Sequence, residues 1–178
     1  MHRIHVGSWA RQSLGAHTSR FFFPALLPKQ YNLSFYLKYL SQWPEYFLGA
    51  QSPNRECMGY IMGKAEGVGE NWHGHISAVT VAPRYRRLGL AAMLIQYLED
   101  MTEEVHDGYF VDLFVRISNL LAINMYKKFG YVIYRQVIGY YGSEEDAYDM
   151  RKAMARDKDK KSMIPLDHPI YPEDLECD

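Results

Sequence analysis

Two stretches of this 178-residue chain carry apolar side chains at the spacing of an amphipathic helix. The first is Tyr31–Trp43, which Pro44 ends, and the second is Leu90–Met101. Apolar residues that recur every three or four positions lie on one helix face, so each stretch predicts a helix packed against a core. The positions are Leu33, Tyr36, Leu37, Leu40 and Trp43 in the first, and Leu90, Met93, Leu94, Tyr97, Leu98 and Met101 in the second.

A shorter helix is predicted between Asn119 and Phe129. Ser118 and Asn119 are residue types that cap helix N-termini, and Gly130 is the type that ends helices. Its buried stripe is expected to contain Ala122, Met125 or Tyr126, and Phe129.

Between these helices the pattern changes to β-branched and aromatic runs bounded by turn residues, which predict strands. Phe47–Ala50 and Met58–Ala65 form an expected hairpin around the loop at residues 52–56. Further strands are expected at His75–Val81, Tyr109–Val115 and Tyr131–Tyr141, and Tyr148–Met154 is either a strand or a short helix. The fold class is therefore α/β, with a mixed sheet flanked by helices.

The composition predicts one globular domain with a proper core. Hydrophobic residues make up 48% of the chain and the formal net charge is −1, without the basic surplus that nucleic-acid binding needs. The two cysteines, Cys57 and Cys177, provide neither a disulfide framework nor a metal site. No apolar run reaches membrane-spanning length, so a membrane is not an expected partner. The near-neutral charge likewise makes nucleic acid an unexpected partner.

Charge along the chain divides it into a basic segment at residues 1–24, a main domain at 25–154, and a charged linker with an extended tail at 155–178. No acidic residue precedes Glu45. Residues 1 to 23 have the Arg-, Ser- and His-containing, acid-free composition of a transit peptide. Organelle targeting is therefore one hypothesis, an incorrect start of the coding sequence is another, and the main expectation is a cytoplasmic protein.

The strongest chemical signal is the strand–turn–helix junction of residues 79–92. Gly89 and Ala91 leave little bulk at the helix start, so backbone N–H groups there can meet an anion. Arg86 and Arg87 add positive charge at the same point. The junction suits a pyrophosphate, although it matches neither the P-loop nor the G-x-G-x-x-G loop.

The pattern Arg86-x-x-Gly89-x-Ala91 resembles the acetyl-coenzyme A loop of the GNAT acetyltransferases. The likeness extends from about Tyr31 to the C-terminus and is specifically to catalytic subunits of NatB-type N-terminal acetyltransferases, whereas residues 1–24 are not matched. It is carried by segments such as Trp43-Pro44-Glu45-Tyr46-Phe47, Met58-Gly59-Tyr60-Ile61-Met62-Gly63-Lys64, Trp72-His73-Gly74-His75 and Asn124-Met125-Tyr126-Lys127.

The resemblance implies the GNAT fold, with a predominantly antiparallel sheet, and acetyl-CoA as the acetyl donor without a metal. It implies coenzyme contacts from Val79, Val81, Arg86, Arg87, Gly89, Leu90, Ala91, Ala92 and Asn119. Tyr126 is expected to act as general acid toward the leaving thiolate, although its spacing alone also fits a core aromatic. His75 is expected either to deprotonate the amine through water or to hydrogen-bond an acidic substrate side chain.

The peptide slot implied by the resemblance accepts Met followed by Asp, Glu, Asn or Gln. Its expected lining is Tyr31, His75, Ser77, Tyr140 and Tyr141. One family position departs, because Lys29 stands where the family has a glutamate near the peptide N-terminus. A modest base is sufficient, because a protein α-amino group has a pKa of about 7.7–8.0.

The expected partners are a large helical-repeat auxiliary subunit and nascent N-termini at the ribosome. Two other functions stay open at this point. One is a catalytically impaired scaffold or regulatory paralogue, suggested by Lys29 and the unmatched start. The other is a GNAT enzyme that acts on lysine or small amines, which would need a stronger base than the sequence offers.

Overall fold

A computed structural model describes residues 5–8, 32–142 and 145–175, and the chain divides into two compact units. The first unit takes in Met1–Lys64 with Ala78–Leu98, and the second takes in Ala65–Ser77 with Glu99–Asp178. Strand β4 (His73–Val81) and helix α2 (Leu90–Glu104) each contribute residues to both units. The predicted sites at Tyr31 and Lys29 lie outside the described residues.

The first unit contains the predicted hairpin. Its strand order is β1 (His5–Ser8), β2 (Phe47–Gln51), β3 (Cys57–Glu66) and then the last residues of β4. The first three strands pair antiparallel. Ser52 closes the hairpin loop, because its backbone N–H donates to the Glu56 carbonyl over 2.9 Å and its hydroxyl accepts from the Glu56 N–H over 3.1 Å.

Helix α1 (Leu33–Gln42) is confirmed, but the prediction of its buried face was partly wrong. Leu33 and Leu37 are 63% and 55% exposed, whereas Tyr36 and Tyr39 are buried. The two tyrosines pack with an aromatic cluster on the hairpin, and Phe35 lies 4.7 Å from Tyr39 between ring centroids. Aromatic rings bury more apolar area than leucine side chains, so the helix packs with its tyrosine face, rather than its leucine face, against the hairpin.

Helix α2 (Leu90–Glu104) follows the predicted stripe closely. Leu90, Leu94 and Leu98 are almost fully buried, and Ile95 joins them. None of the helices in the described part of the chain has the length and apolar character needed to span a bilayer.

The second unit places β4, β5 (Phe110–Arg116), β7 (Ala147–Ala153) and β6 (Val132–Val137) side by side in that order. The β5–β7 ladder is antiparallel and pairs seven residues on each strand. The β4–β5 ladder is parallel and pairs three, of which His75 with Asp112 is the last. The segment that was either strand or helix is therefore strand β7.

Helix α3 (Leu120–Lys128) begins and ends where predicted. The side-chain oxygen of Asn119 accepts from the Ala122 N–H over 3.1 Å, and Gly130 follows with φ +94°. The predicted stripe was partly wrong, because Ile123 and Tyr126 are the buried residues whereas Ala122, Met125 and Phe129 are only half-buried.

The prediction of one strand from Tyr131 to Tyr141 was wrong, because β6 ends at Val137. Gly139 has φ +65°, a conformation that cannot continue a strand, and residues 138–141 form a turn. Tyr140 and Tyr141 therefore lie in a turn rather than on a strand.

Residues 164–175, called the tail below, run along the edge of β6. The backbone N–H groups of Leu166 and Ile170 donate to the Tyr134 and Gln136 carbonyls over 2.7 and 3.0 Å. The Ile138 N–H donates to the Ile170 carbonyl over 2.8 Å. The tail therefore pairs with β6 through these hydrogen bonds, and it ends in a 3₁₀ turn at Pro172–Asp174.

The preceding charge run is more ordered than a solvated linker. Asp157 is buried and accepts from the backbone N–H groups of Lys161 and Ser162 over 3.0 and 2.9 Å. Burial alone would raise the pKa of Asp157, but the Ser162 hydroxyl first, and then these two backbone N–H groups, lower it.

Candidate active site

The predicted coenzyme loop is a helix N-terminus in the first unit. A short 3₁₀ turn, Pro83–Tyr85, follows β4, and α2 begins at Leu90. The Gly89 carbonyl accepts from the Met93 N–H over 3.1 Å, which is the first hydrogen bond of the helix. The N–H groups of Leu90, Ala91 and Ala92 therefore belong to the first turn, where an α-helix provides no internal acceptors.

Gly89 is needed at this position for its backbone conformation. Its φ is +81°, and a Cβ built on it would meet nothing within 4 Å. The space beside the helix start is therefore open to a ligand, and a side chain at residue 89 would strain the backbone and occupy that space.

Positive charge surrounds the same helix start. Arg86 and Arg87 are exposed, no acidic residue lies in the first turn of α2, and Arg86 Nε donates to the Val81 carbonyl over 3.2 Å. Val79 and Val81 are half-buried on β4 just before the loop. Backbone donors, a helix dipole and two guanidinium groups fit the pyrophosphate of acetyl-CoA.

The second unit contains a group of three side chains, His73, His75 and Asp112, called the histidine cluster below. Oδ1 of Asp112 lies 2.7 Å from Nδ1 of His75 and 3.5 Å from Nε2 of His73. Nδ1 of His73 donates to the Asn71 carbonyl over 2.6 Å, and its ring stacks on Phe110 with centroids 4.5 Å apart. The cluster follows from the β4–β5 register, which pairs His75 with Asp112.

The charges of the cluster fix which atoms carry protons. Burial alone would raise the pKa of Asp112, but His73, His75 and Arg151 hold that pKa well below its usual value. Asp112 is therefore a carboxylate at neutral pH and can only accept hydrogen bonds. The proton in the His75–Asp112 hydrogen bond belongs to Nδ1 of His75, and the lone pair of the neutral ring lies on Nε2.

Buried charges on β6 and β7 extend this cluster. Asp149 accepts from Arg135 Nε over 2.8 Å and from Arg151 Nη2 over 3.1 Å. Burial and the neighbouring Asp112 raise the pKa of Asp149 despite these two arginines. On the other side, Oε1 of Glu66 lies 3.9 Å from a ring nitrogen of each histidine.

An aromatic row connects His75 to the predicted peptide residues. The Phe114 ring centroid lies 5.6 Å from that of His75 and 4.5 Å from that of Tyr140, on which it stacks. Tyr141 meets Tyr140 edge to face, and its hydroxyl donates to the Phe114 carbonyl over 3.1 Å. Tyr140, Tyr141 and His75 are thus brought together, and Ser77 lies two residues further along β4.

Arg116 and Glu145 support Tyr141. The Arg116 guanidinium lies 4.0 Å above the Tyr141 ring and donates to Glu145 over 2.8 Å. Glu145 also accepts from the hydroxyl and backbone N–H of Ser118. These hydrogen bonds, from Ser118 first and Arg116 second, lower the pKa of Glu145 to about 2.

Tyr126 is buried on α3, with its ring 5.7 Å from that of Tyr131. Burial, and after it the neighbouring Tyr141, raises the pKa of Tyr126 well above its ordinary value. Its phenol therefore stays protonated at any working pH and can serve as a hydrogen-bond donor. Asn119 uses its side-chain oxygen to cap α3, which leaves its amide NH₂ for a ligand.

Sequence reasoning missed Asp112, Phe114 and the Arg116–Glu145 pair. Asp112 had one visible signal, because it is the charged residue that interrupts an otherwise apolar strand. Its proximity to His75, 37 residues earlier, depends on the strand register.

Two cavities open in the second unit. One of about 30 Å³ adjoins His73, Asp112, Phe114 and Leu175. One of about 380 Å³ is lined by residues that include Tyr109, Tyr134, Arg151 and Asp157, and no predicted site residue lines it. Within residues 5–8, 32–142 and 145–175, no group of three or more His, Cys, Asp or Glu could hold a metal ion.

Residues 11–131 match the acetyltransferase (GNAT) family. The chain is 61% identical over 150 residues to N-alpha-acetyltransferase 20 of Dictyostelium discoideum, which covers 84% of this chain and 87% of the relative. It is 57% identical over 152 residues to the N-terminal acetyltransferase B complex catalytic subunit NAA20 of Arabidopsis thaliana, with coverage of 85% and 87%.

Solved structures agree with these relatives. Chaetomium thermophilum Naa20 in complex with a bisubstrate analogue superposes with a TM-score of 0.76 at 42% identity, covering 82% of this chain and 86% of that one. A NatB acetyltransferase complex bound to a bisubstrate inhibitor gives a TM-score of 0.73 at 39% identity, with coverage of 84% and 87%.

Proposed function

The chain belongs to the acetyltransferase (GNAT) family, and from this we propose how its residues transfer an acetyl group to protein N-termini. It is an N-terminal acetyltransferase of the NatB catalytic-subunit type, with acetyl-CoA as donor. The observation that carries this conclusion is the 61% identity to N-alpha-acetyltransferase 20 over 84% of the chain.

The reaction forms a bond from the α-amino nitrogen to the acetyl carbon, breaks the bond from that carbon to sulfur, and removes one proton from the nitrogen. Cys57 is not a nucleophile, because it is half-buried and burial raises the pKa of its thiol. Direct attack of the amine on the thioester, with both substrates bound, is the proposed mechanism.

The first unit holds the coenzyme in this proposal. The N–H groups of Leu90, Ala91 and Ala92 bind the pyrophosphate, and Arg86 and Arg87 balance its charge. Val79 and Val81 are assigned to the coenzyme arm. The open space at Gly89 supports this assignment, because it leaves the helix start accessible to a ligand.

Tyr126 and His75 carry the proton chemistry in the second unit. Proton transfer from a buried phenol to the CoA thiolate, whose conjugate thiol has a pKa of about 8.5, is uphill. Tyr126 therefore acts mainly by donating a hydrogen bond to the leaving sulfur, and the released thiolate takes its proton from water. His75, with its lone pair on Nε2, takes the amine proton through water or reads the peptide.

The peptide begins with Met followed by Asp, Glu, Asn or Gln. We assign its recognition to His75, Ser77, Tyr31, Tyr140 and Tyr141. Tyr141 has already donated its single proton to the Phe114 carbonyl, so it acts as a packing wall and acceptor. Donation to an acidic second side chain is therefore assigned to the other members of this set, His75 among them.

The chain functions as part of a complex, because its relatives are named as catalytic subunits of the N-terminal acetyltransferase B complex. We propose that the other member is a large helical-repeat auxiliary subunit and that the substrates are nascent chains at the ribosome. We also propose a cytoplasmic location for this chain, because nascent chains at the ribosome are made in the cytoplasm.

The test is acetylation of Met-Asp, Met-Glu and Met-Leu peptides by the full chain with its auxiliary subunit. A site that hydrogen-bonds a polar group rejects an analogue lacking that group strongly, so Met-Asp and Met-Glu should exceed Met-Leu in kcat/KM by about 100-fold or more. An N-terminally blocked peptide containing lysine is the control. Preference for Met-Leu, or for the lysine side chain, would refute this function.

A further inference from the structure

Among the ion pairs of His75 with described residues, the one with the Asp112 carboxylate is the shorter, at 2.7 Å from Nδ1 against 3.9 Å for Glu66. The contact is built in by the fold, because His75 and Asp112 form the last residue pair of the parallel β4–β5 ladder. Asp112 is only 3% exposed and His75 is largely buried, so water competes little for this hydrogen bond.

We propose that Asp112 is a positioning residue for acetyl transfer that acts through His75. By accepting a hydrogen bond from Nδ1–H, it holds the ring at one angle and keeps the lone pair of the neutral ring on Nε2. Its negative charge also favours the imidazolium form, in which Nε2 becomes a donor. The inference rests on the proposed role of His75 in the reaction.

Other charges near His75 are more distant or already balanced. Glu66, on β3, lies 3.9 Å from Nδ1, beyond hydrogen-bond distance. His73, on the same strand, shares the Asp112 carboxylate at 3.5 Å. Arg151 on β7 and Arg135 on β6 both pair with Asp149, which balances part of their charge.

Asp112 thereby determines which second residue the site prefers at a given pH. The imidazolium donates from Nε2 and attracts an acidic side chain, whereas the neutral ring presents a lone pair that accepts from an amide NH₂. The kcat/KM ratio of Met-Asp to Met-Asn peptides should therefore fall as the pH rises and the imidazolium form gives way to the neutral ring. Titration of the substrate α-amine cancels in this ratio.

A first test needs no activity. Nitrogen-15 NMR of the full chain, with the His75 signals assigned by their loss in His75→Gln, reports which ring nitrogen carries the proton. We expect protonated Nδ1 in the neutral ring of the wild type, and a mixture of tautomers in Asp112→Asn, because asparagine can accept or donate. A proton on Nε2 in the neutral wild-type ring would overturn the inference, even if Asp112→Asn failed to fold.

The second test is kinetic and uses the complex. Asp112→Asn should lower the Met-Asp to Met-Asn ratio at pH 7 by about 10-fold, the scale of a charged hydrogen bond, and should alter the pH dependence of this ratio. Asp157→Asn is the matched control, because it neutralises another buried carboxylate that contacts Lys161 and Ser162 instead. This control should leave the ratio and its pH dependence unchanged.

A double-mutant cycle separates positioning from packing. In the His75→Gln background, Asp112→Asn should change kcat/KM by less than about 2-fold, since the two effects share one hydrogen bond. Equal losses in both backgrounds would show that Asp112 is only structural. If the wild-type complex acetylates none of these peptides, the proposed function fails, whereas the NMR result still decides the inference.

Discussion

The proposed coenzyme loop and the histidine cluster are built from different groups, backbone in the first and side chains in the second. At Arg86–Ala92 the donors are backbone N–H groups at an exposed helix start. The absence of a side chain at Gly89 keeps the space beside them open. In the histidine cluster the groups are side chains, buried in a sheet and held by one another. A backbone site depends on local conformation, whereas a side-chain site depends on register and on its neighbours' charges.

The largest effect should follow from breaking the backbone site. Gly89→Glu forces a side chain into a conformation at φ +81° and points a carboxylate at the pyrophosphate position. Acetyl-CoA affinity, measured by calorimetry, should fall by about 100-fold or more, with charge repulsion and lost backbone donors as the cause.

The matched control for that variant is Gly69→Glu. Gly69 also has positive φ, at +60°, and open space around it, so a side chain there also adopts a left-handed backbone conformation. Acetyl-CoA affinity should be unchanged in the control. Unchanged affinity in Gly89→Glu itself would remove the coenzyme assignment.

An effect of nearly the same size is expected on kcat when the Tyr126 hydroxyl is removed. Tyr126→Phe removes one hydroxyl and should lower kcat by about 100-fold, with little change in the KM for acetyl-CoA. Tyr131→Phe is the control, because its hydroxyl donates to Glu99 over 2.9 Å and has no assigned role in transfer. Equal kcat values for the two variants, under conditions where chemistry limits the rate, would show that Tyr126 is only a core residue with no role in catalysis.

Removing a buried carboxylate should destabilise the fold more than removing an exposed one. Glu99 is 3% exposed, accepts from Tyr131 and pairs with Lys152 over 2.6 Å. Glu99→Ala should lower the free energy of unfolding by about 3 kcal/mol, because it leaves the buried Tyr131 hydroxyl and the half-buried Lys152 ammonium without this acceptor. Glu56→Ala removes the exposed pair with Arg84 and should leave urea unfolding unchanged within error.

The smallest effect concerns Glu145. Its folded-state pKa of about 2 lies below the ordinary 4.5, so its contribution to stability is complete above pH 4.5 and is lost as the pH falls through 2. Glu145→Gln should lower Tm at pH 7 by no more than about 3 °C. The difference from wild type should shrink between pH 4.5 and 2, and a difference that grows there would contradict the assignment.

The comparison also explains what the sequence could predict. All parts of the proposed coenzyme loop lie in one continuous segment, from Val81 through Ala92. Its strand end, turn, cations and glycine could therefore be recognised from the sequence alone. Asn119 and Gly130 marked the ends of α3 for the same reason. Local chemistry settles local structure, and here it predicted most of the element boundaries.

Features that depend on distant partners were not predictable in this way. The meeting of Asp112 with His75 follows from a ladder register that neither segment encodes alone. The exposed face of α1 was misassigned because tyrosines, rather than leucines, found the aromatic partners. Tyr131–Tyr141 reads as one strand by composition, but Gly139 bends it and the tail takes up the Ile138 N–H.

The tail has a consequence for the fate of the chain during and after synthesis. Until residues 164–170 dock, the carbonyls of Tyr134 and Gln136 and the N–H of Ile138 form an uncovered β edge. Such an edge invites pairing with other chains and aggregation. Resistance to aggregation therefore depends on a segment that carries none of the assigned chemistry, and a chain cut after Met163 would keep the assigned residues yet be prone to precipitate.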